Sequence, residues 1–143
     1  MRASRGFTLL DVLVALAIAA VLCAIALPTF DAALRKARRA DALVAVVQIQ
    51  AAQERLRSRT PRYGDMAEIG AVAFSQAGHY RLQVTAFDAD GYALLATAIG
   101  PKAGDSTCRY LGARAVGLNL SYASGADAAL GNGAAPNRAC WSL

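Results

Sequence analysis

The chain has 143 residues, 56% of them hydrophobic, a net charge of +5 and three cysteines. That length holds one domain and an appendage rather than two domains. The charge suits contact with anionic lipid or nucleic acid but demands neither. With a single histidine, His79, and no Cys-x-x-Cys, no Cys/His set at metal spacing is present.

The first element is a short basic leader, residues 1–6, carrying Arg2 and Arg5 and ending in Gly6. An apolar run follows, with no charge at all from Val12 to Phe30 and one acid, Asp11, at its start. A carboxylate in such a helix costs roughly 2.5–3.5 kcal/mol on insertion scales, so it needs a partner. Three readings compete. A secretory signal peptide would cut after Ala24-Ile25-Ala26. Asp11 has no place in that reading, and the helical pattern continues past the cut to Gln53-Glu54-Arg55-Leu56. A plain membrane anchor fits the length, since Leu9 to Phe30 spans about 33 Å as a helix. It leaves Gly6-Phe7 and Asp11 unexplained.

The third reading rests on Gly6 followed by Phe7-Thr8-Leu9-Leu10-Asp11. This resembles the N-terminus of type IV pilins and their pseudopilin relatives. The resemblance implies cleavage between Gly6 and Phe7 by prepilin peptidase and N-methylation of the new Phe7 amine. The family usually carries Glu where this chain has Asp11, and its carboxylate neutralises a neighbouring subunit's N-terminus during assembly. Asp keeps the charge but is shorter by one methylene. Pairing a buried charge across a subunit boundary also sets register. Pro28 matches a familiar pilin proline; it removes the hydrogen bond to the Ala24 carbonyl and is expected to kink or loosen the helix. Arg35, Lys36, Arg38 and Arg39 outnumber the leader's two arginines. The positive-inside rule taken alone would therefore keep the following domain inside. The processing signal argues the other way, with the basic cluster at the lipid headgroups or against acids of neighbouring subunits.

From residue 31 to 59 neither Gly nor Pro interrupts. Leu34, Ala37, Ala40, Val44, Val47 and Ala51 fall at helical spacing, flanked by Leu43, Val46 and Gln50, and predict the face that lies on a domain. With the anchor this makes one helix of about 80 Å. Thr60-Pro61 ends it. Asp65-Met-Ala-Glu68 has the form of a reciprocal N-terminal cap. Alternation from Tyr80 to Phe87 predicts a strand, Asp90-Gly91 a turn and Tyr92–Ile99 a second strand. Residues 108–113 predict a third strand and 116–122 a fourth. From Ala123 onward Gly and Ala dominate without a period, which reads as a loop.

Cys23 lies in the apolar run and reads as a small hydrophobe. Cys108 and Cys140, 32 residues apart, read as one disulfide in an exported chain, worth about 3.7 kcal/mol in the chain-entropy model; two free thiols are the alternative. The element order itself is similar to a pilin, most of all to PilE-like minor pilins. Pro61-Arg62-Tyr63 through Glu68-Ile69-Gly70, Gly91-Tyr92-Ala93-Leu94, Asp105-Ser106-Thr107-Cys108 and Cys140-Trp141 carry that resemblance. It implies an α+β pilin fold: a long N-terminal helix, membrane half then amphipathic half, on an antiparallel sheet of three to four strands, with a disulfide-closed C-terminal loop. The organisation expected is a leader (1–6), a membrane and filament-core helix (7–30) and a periplasmic globular domain (31–143). Within that domain, 31–59 is helix, 80–122 sheet and 123–143 loop.

No catalytic constellation is present and no cofactor is called for. Asp88 and Asp90 read as turn residues rather than cation ligands. The function expected is a structural minor pilin, moving from the inner membrane, with its domain in the periplasm, to an extracellular pilus. Its partners are prepilin peptidase and other pilin subunits. One alternative is a competence pilin that grips DNA, with Arg55, Arg57, Arg59 and Arg62, or Lys102, Arg109, Arg114 and Arg138, as a phosphate-binding stripe. The other is a pseudopilin of type II secretion, which shares the first thirty residues.

Overall fold

The computed structural model describes residues 8–100 and 105–142. The leader, Gly6, Phe7 and Lys102 lie outside the described residues. The chain divides into two units, Met1–Lys36 and Ala37–Leu143, and α1, Leu9–Arg57, contributes to both.

In the first unit every described side chain from Thr8 to Ala33 is exposed. α1 is long and apolar enough to cross a membrane, and none of that stretch is buried by the chain itself. The large apolar side chains exposed between Leu9 and Phe30 represent on the order of 20–35 kcal/mol of unrealised burial, which apolar surroundings must supply. The helix runs through Pro28, and Thr29 Oγ1 donates to the Ala26 carbonyl at 2.8 Å.

The second unit packs the remainder of α1 on a four-stranded antiparallel sheet in the order β1 (Tyr80–Phe87), β2 (Gly91–Ala98), β3 (Tyr110–Val116), β4 (Asn119–Gly125). A short helix, α2 (Ala134–Trp141), follows. One sheet face builds the core: Tyr80 and Leu82, then Tyr92, Leu94 and Ala96, then Leu111 and Ala113, are all buried. They meet Ala42, Ala45, Val46 and Ile49 of α1.

The buried face of α1 differs from the expected one. Ala42, Ala45, Val46, Ile49, Ala52 and Gln53 are buried, whereas Ala37, Ala40, Val44, Val47 and Ala51 are exposed. The segment is apolar around most of its circumference, so spacing does not select a side. Polar anchors select it. Gln53, fully buried, donates from Nε2 to the Gly64 carbonyl at 2.7 Å and accepts the Gly64 N–H at 3.0 Å. Asp41 accepts from the Ser75 hydroxyl at 2.5 Å and the Ala77 N–H at 3.0 Å.

The strands also shift from their expected bounds. Between Val84 and Ala86 the register slips by a bulge, so Ala86, inward by simple alternation, is exposed. The turn expected at Asp90-Gly91 is present, with Gly91 accepting the Asp88 N–H and opening β2, where a Cβ would collide with the Ala115 carbonyl oxygen. The turn is held by Asp88 Oδ1, which accepts the N–H groups of Asp90 and Gly91 at 2.8 and 2.7 Å. Val116 closes β3, and Gly117-Leu118 make a two-residue hairpin turn with Gly117 at φ 59.

The C-terminal segment, expected as loop, contains α2. Gly133 begins it and Ser142 closes it in the left-handed region, its N–H donating to the Arg138 carbonyl. Pro136 sits in the first turn, where its missing N–H leaves no gap. Two turns with one buried edge, Cys140 and Trp141, give too short a period to read. The Cys108–Cys140 disulfide forms, with a Cα separation of 5.5 Å. Trp141 Nε1 donates to the Ala123 carbonyl at 2.9 Å, and Asn137 Nδ2 to that of Tyr122 at 2.9 Å.

Candidate functional site

Asp11 sits at the start of α1 and has a partner in its own chain. Its Oδ2 accepts from the Thr8 N–H at 3.0 Å and from Thr8 Oγ1 at 2.8 Å. Thr8 Oγ1 in turn accepts the Asp11 N–H at 3.3 Å. This is a reciprocal cap of the kind Thr-x-x-acid makes, and the negative charge at a helix N-terminus is itself favourable. The sequence flagged Asp11 as an acid in need of a partner; Thr8 was the available signal for a local one. Cys23 is free and exposed.

The arginines at the end of α1 do not act as one open patch. Arg57 donates to the Tyr63 hydroxyl and lies over its ring, 4.8 Å from the centroid. The same hydroxyl donates to Glu54 Oε1 at 3.2 Å. Arg62 is bound by Glu68 through both guanidinium nitrogens, at 3.0 and 2.5 Å. Glu68 also completes the expected cap: it accepts the Asp65 N–H at 3.1 Å, and its own N–H donates to Asp65 Oδ1 at 2.8 Å. The Arg62 hydrogen bonds, then the Asp65 N–H, draw the Glu68 carboxyl down to about 2. Arg55 and Arg59 remain exposed, in a neighbourhood that contains Glu54 and Glu68.

The outer face of the sheet is different. Register lines up Arg81, Thr97 and Tyr110 across β1, β2 and β3, and Ala93, Arg114 and Ser121 across β2, β3 and β4. Arg81 and Arg114 are exposed. Arg81 lies 5.9 Å from the Phe74 ring centroid; Arg109, just before β3, accepts the Ala98 N–H at its carbonyl and has the parity of buried Leu111 and Ala113, so register does not place it on this face. The four strands contain no Asp or Glu. Among the described residues the ion pairs are Arg39–Asp105 and Arg62–Glu68, so Arg81 and Arg114 make none, although Asp88 and Asp90 line a recess with Arg114. Strand spacing and rise set the backbones of Arg81 and Arg114 about 16 Å apart. Beside Arg114 an open recess of about 500 Å³ is lined by Leu95, Gly112, Ser121 and Leu130. Sequence reading named Arg109 and Arg114 but not Arg81; its place in an alternating strand was the signal. Arg138 is exposed on α2.

Elsewhere, burial raises the Tyr80 and Tyr92 hydroxyls to about 12, so both stay neutral core residues. Arg39 Nη1 lies 3.0 Å from Cys108 Sγ and 3.6 Å from Asp105 Oδ2, bracing the disulfide. Among the described residues no group of His, Cys, Asp and Glu could hold a metal ion.

An apolar N-terminal helix continued onto an antiparallel sheet, closed by a C-terminal disulfide, defines the class of pilin-like subunits. Residues 1–27 match the prokaryotic N-terminal methylation motif. Residues 28–112, more than half of the chain, match the family described as type IV minor pilin ComP, DNA uptake sequence receptor. The chain belongs to that family of type IV minor pilins. No curated protein matches it.

Proposed function

We propose that this chain is a minor subunit of a type IV pilus that binds DNA for uptake. The observation that carries the reading is the match of residues 28–112 to a family described as a DNA uptake sequence receptor. Prepilin peptidase cuts after Gly6, Phe7 becomes the methylated N-terminus, and α1 carries the subunit from the inner membrane into the filament. In the filament Asp11, and the helix around Pro28, meet neighbouring pilin subunits.

For DNA, the outer sheet face is the best-suited surface. Arg81 and Arg114 offer positive charge with no acid on the strands around them. The span from Arg81 to Arg114 is about half a turn of duplex. Arg81 lies over the Phe74 ring, which limits side-chain freedom before phosphate is met. Arg55 and Arg59 offer a second, weaker site, because Arg57 and Arg62 beside them are already engaged.

The test is fluorescence anisotropy of the full chain in detergent micelles with labelled duplex DNA. Two phosphate contacts give a log–log salt slope of about −1.8, so affinity falls about 12-fold between 50 and 200 mM salt. Arg81→Ala and Arg114→Ala each reduce the slope by about 0.9, and Arg62→Ala leaves it unchanged. Absence of binding at 50 mM salt refutes the reading; a slope lowered by Arg62→Ala and not by the sheet variants moves the site to the end of α1.

A further inference from the structure

Between Arg81 and Arg114 the outer sheet face carries side chains that the phosphate contacts leave unused. Register pairs Gln83 with Leu95, and Leu95 with Gly112. Strand spacing and rise place the Leu95 backbone about 8 Å from that of each arginine, at the middle of the span. Gln83 lies beside it on β1, and Gly112 and Ala123 continue the same row across β3 and β4. Leu130 closes the row. It holds φ 57, a strained conformation for leucine, and its side chain lies over Gly112, where a Cβ would collide with it. Leu95, Gly112, Ala123 and Leu130 thus line the recess of about 500 Å³ beside Arg114.

The polar groups of this face are not equivalent. Thr85 Oγ1 donates to the Ala93 carbonyl and Ser121 Oγ to the Arg114 carbonyl, each at 3.3 Å. Asp127, in the loop that carries Leu130, accepts the Ala129 N–H at Oδ1, 3.0 Å away. Gln83 is exposed, and its side chain makes no hydrogen bond among the described residues. Its amide offers a donor and an acceptor side by side. Adenine presents the matching pair in the major groove, an N7 acceptor and an N6 donor. Its partner thymine presents a methyl group, which suits the apolar Leu95 and the recess behind it. Guanine presents two acceptors, and cytosine a donor with no methyl group, so a G·C pair gives neither match in full.

The geometry points to Gln83 as the residue that reads an adenine edge in the major groove, with Leu95 and the recess taking the methyl group of the paired thymine. This rests on the proposed binding of duplex DNA across Arg81 and Arg114. Phosphates on those two arginines bracket a groove about 12 Å wide, and the groove floor then faces Leu95 and Gln83. The arginines fix orientation and carry no sequence information; the amide and the leucine between them supply it. A bidentate pair of amide and adenine favours the right base about 5- to 150-fold.

The full chain in detergent micelles is equilibrated at about 50 mM salt with a pool of duplexes randomised at their centre, and the bound duplexes are sequenced. The parent is expected to enrich sequences that share an A·T pair at one position. Gln83→Ala is expected to lose that preference while keeping the salt slope of about −1.8, because the amide touches no phosphate. In one enriched duplex, 7-deazaadenine at that position removes N7; it lowers the parent's affinity about fivefold and leaves that of Gln83→Ala unchanged. Uracil for the paired thymine removes the methyl group; it lowers the parent's affinity and leaves that of Leu95→Ala unchanged. Retention of the preference by Gln83→Ala, or insensitivity of the parent to 7-deazaadenine, overturns the assignment to Gln83. Insensitivity of the parent to uracil overturns the role given to Leu95 and the recess. A normal slope with no A·T pair enriched overturns the base reading and leaves DNA binding standing, whereas no binding at about 50 mM salt overturns both.

Discussion

Replacing Gln53 by leucine tests what orients α1 on the sheet. Leucine is close in volume, so little cavity is made, and the change acts on hydrogen bonding. Gln53 is fully buried and satisfies both the N–H and the carbonyl of Gly64, itself buried. Losing the amide leaves both backbone groups without a partner, at about 1–3 kcal/mol each. Removing the amide's own desolvation offsets part of this, so a net loss of about 2–5 kcal/mol is expected. At roughly 4 °C per kcal/mol the midpoint falls by about 8–20 °C. The assay is thermal unfolding of the full chain in micelles, followed by the near-UV signal of Trp141 and the core tyrosines. Gln50→Leu is the control: its Nε2 is 3.4 Å from the Tyr122 hydroxyl and it is half-buried, so its effect stays under about 1 kcal/mol. If Gln53→Leu unfolds within 2 °C of the parent, about half a kcal/mol, the anchoring role assigned to that amide is wrong.

Asp41 gives a pH-dependent contribution. Burial pushes its carboxyl up, but the Ser75 hydroxyl and the N–H groups of Ala77 and His79 outweigh that and hold it below the ordinary 3.8. A depressed folded pKa means stability is present above about pH 3.8 and is lost as pH falls through the folded value. Asp41→Asn, which cannot titrate, is therefore expected to flatten the acid limb of a pH–stability curve below pH 4. Cys108→Ser with Cys140→Ser removes the closure of a 32-residue separation and lowers unfolding free energy by about 3.7 kcal/mol, measured by urea titration. Asp11→Ala is expected to leave cleavage and membrane insertion intact while removing the chain from sheared pili, read by immunoblot. Normal recovery in pili would rule out an assembly role for that carboxylate.

The α+β order was readable because its signals are local. The long apolar run, the Asp65/Glu68 cap, the alternation of β1 up to Val84 and the cysteine pair each depend on neighbouring residues or on chain entropy. The bulge after Val84 and the two-turn helix α2 depend on tertiary partners, and local pattern reads them as continued alternation and a loop. The candidate site divided the same way. The sequence offered two stripes, Arg55, Arg57, Arg59 and Arg62 at the end of α1, or Lys102, Arg109, Arg114 and Arg138. Folding instead engaged Arg57 with Tyr63 and Arg62 with Glu68. Arg81 and Arg114, exposed on the outer sheet face, are set there by register, which brings residues from separate strands together.

By itself the sequence determined that this chain needs apolar surroundings for one end. A run from Val12 to Phe30 without charge, all of it exposed in the folded chain, has no other stable setting. It also determined that an acid opens that run, whereas the Cys108–Cys140 bond, one of two readings in the sequence, is made by the fold. The tertiary structure decided which side of α1 is covered. Ala42, Val46 and Ile49 face the sheet while Val44 and Val47 face out, because a helix apolar nearly all round has no preferred face until Gln53 and Asp41 find their backbone partners.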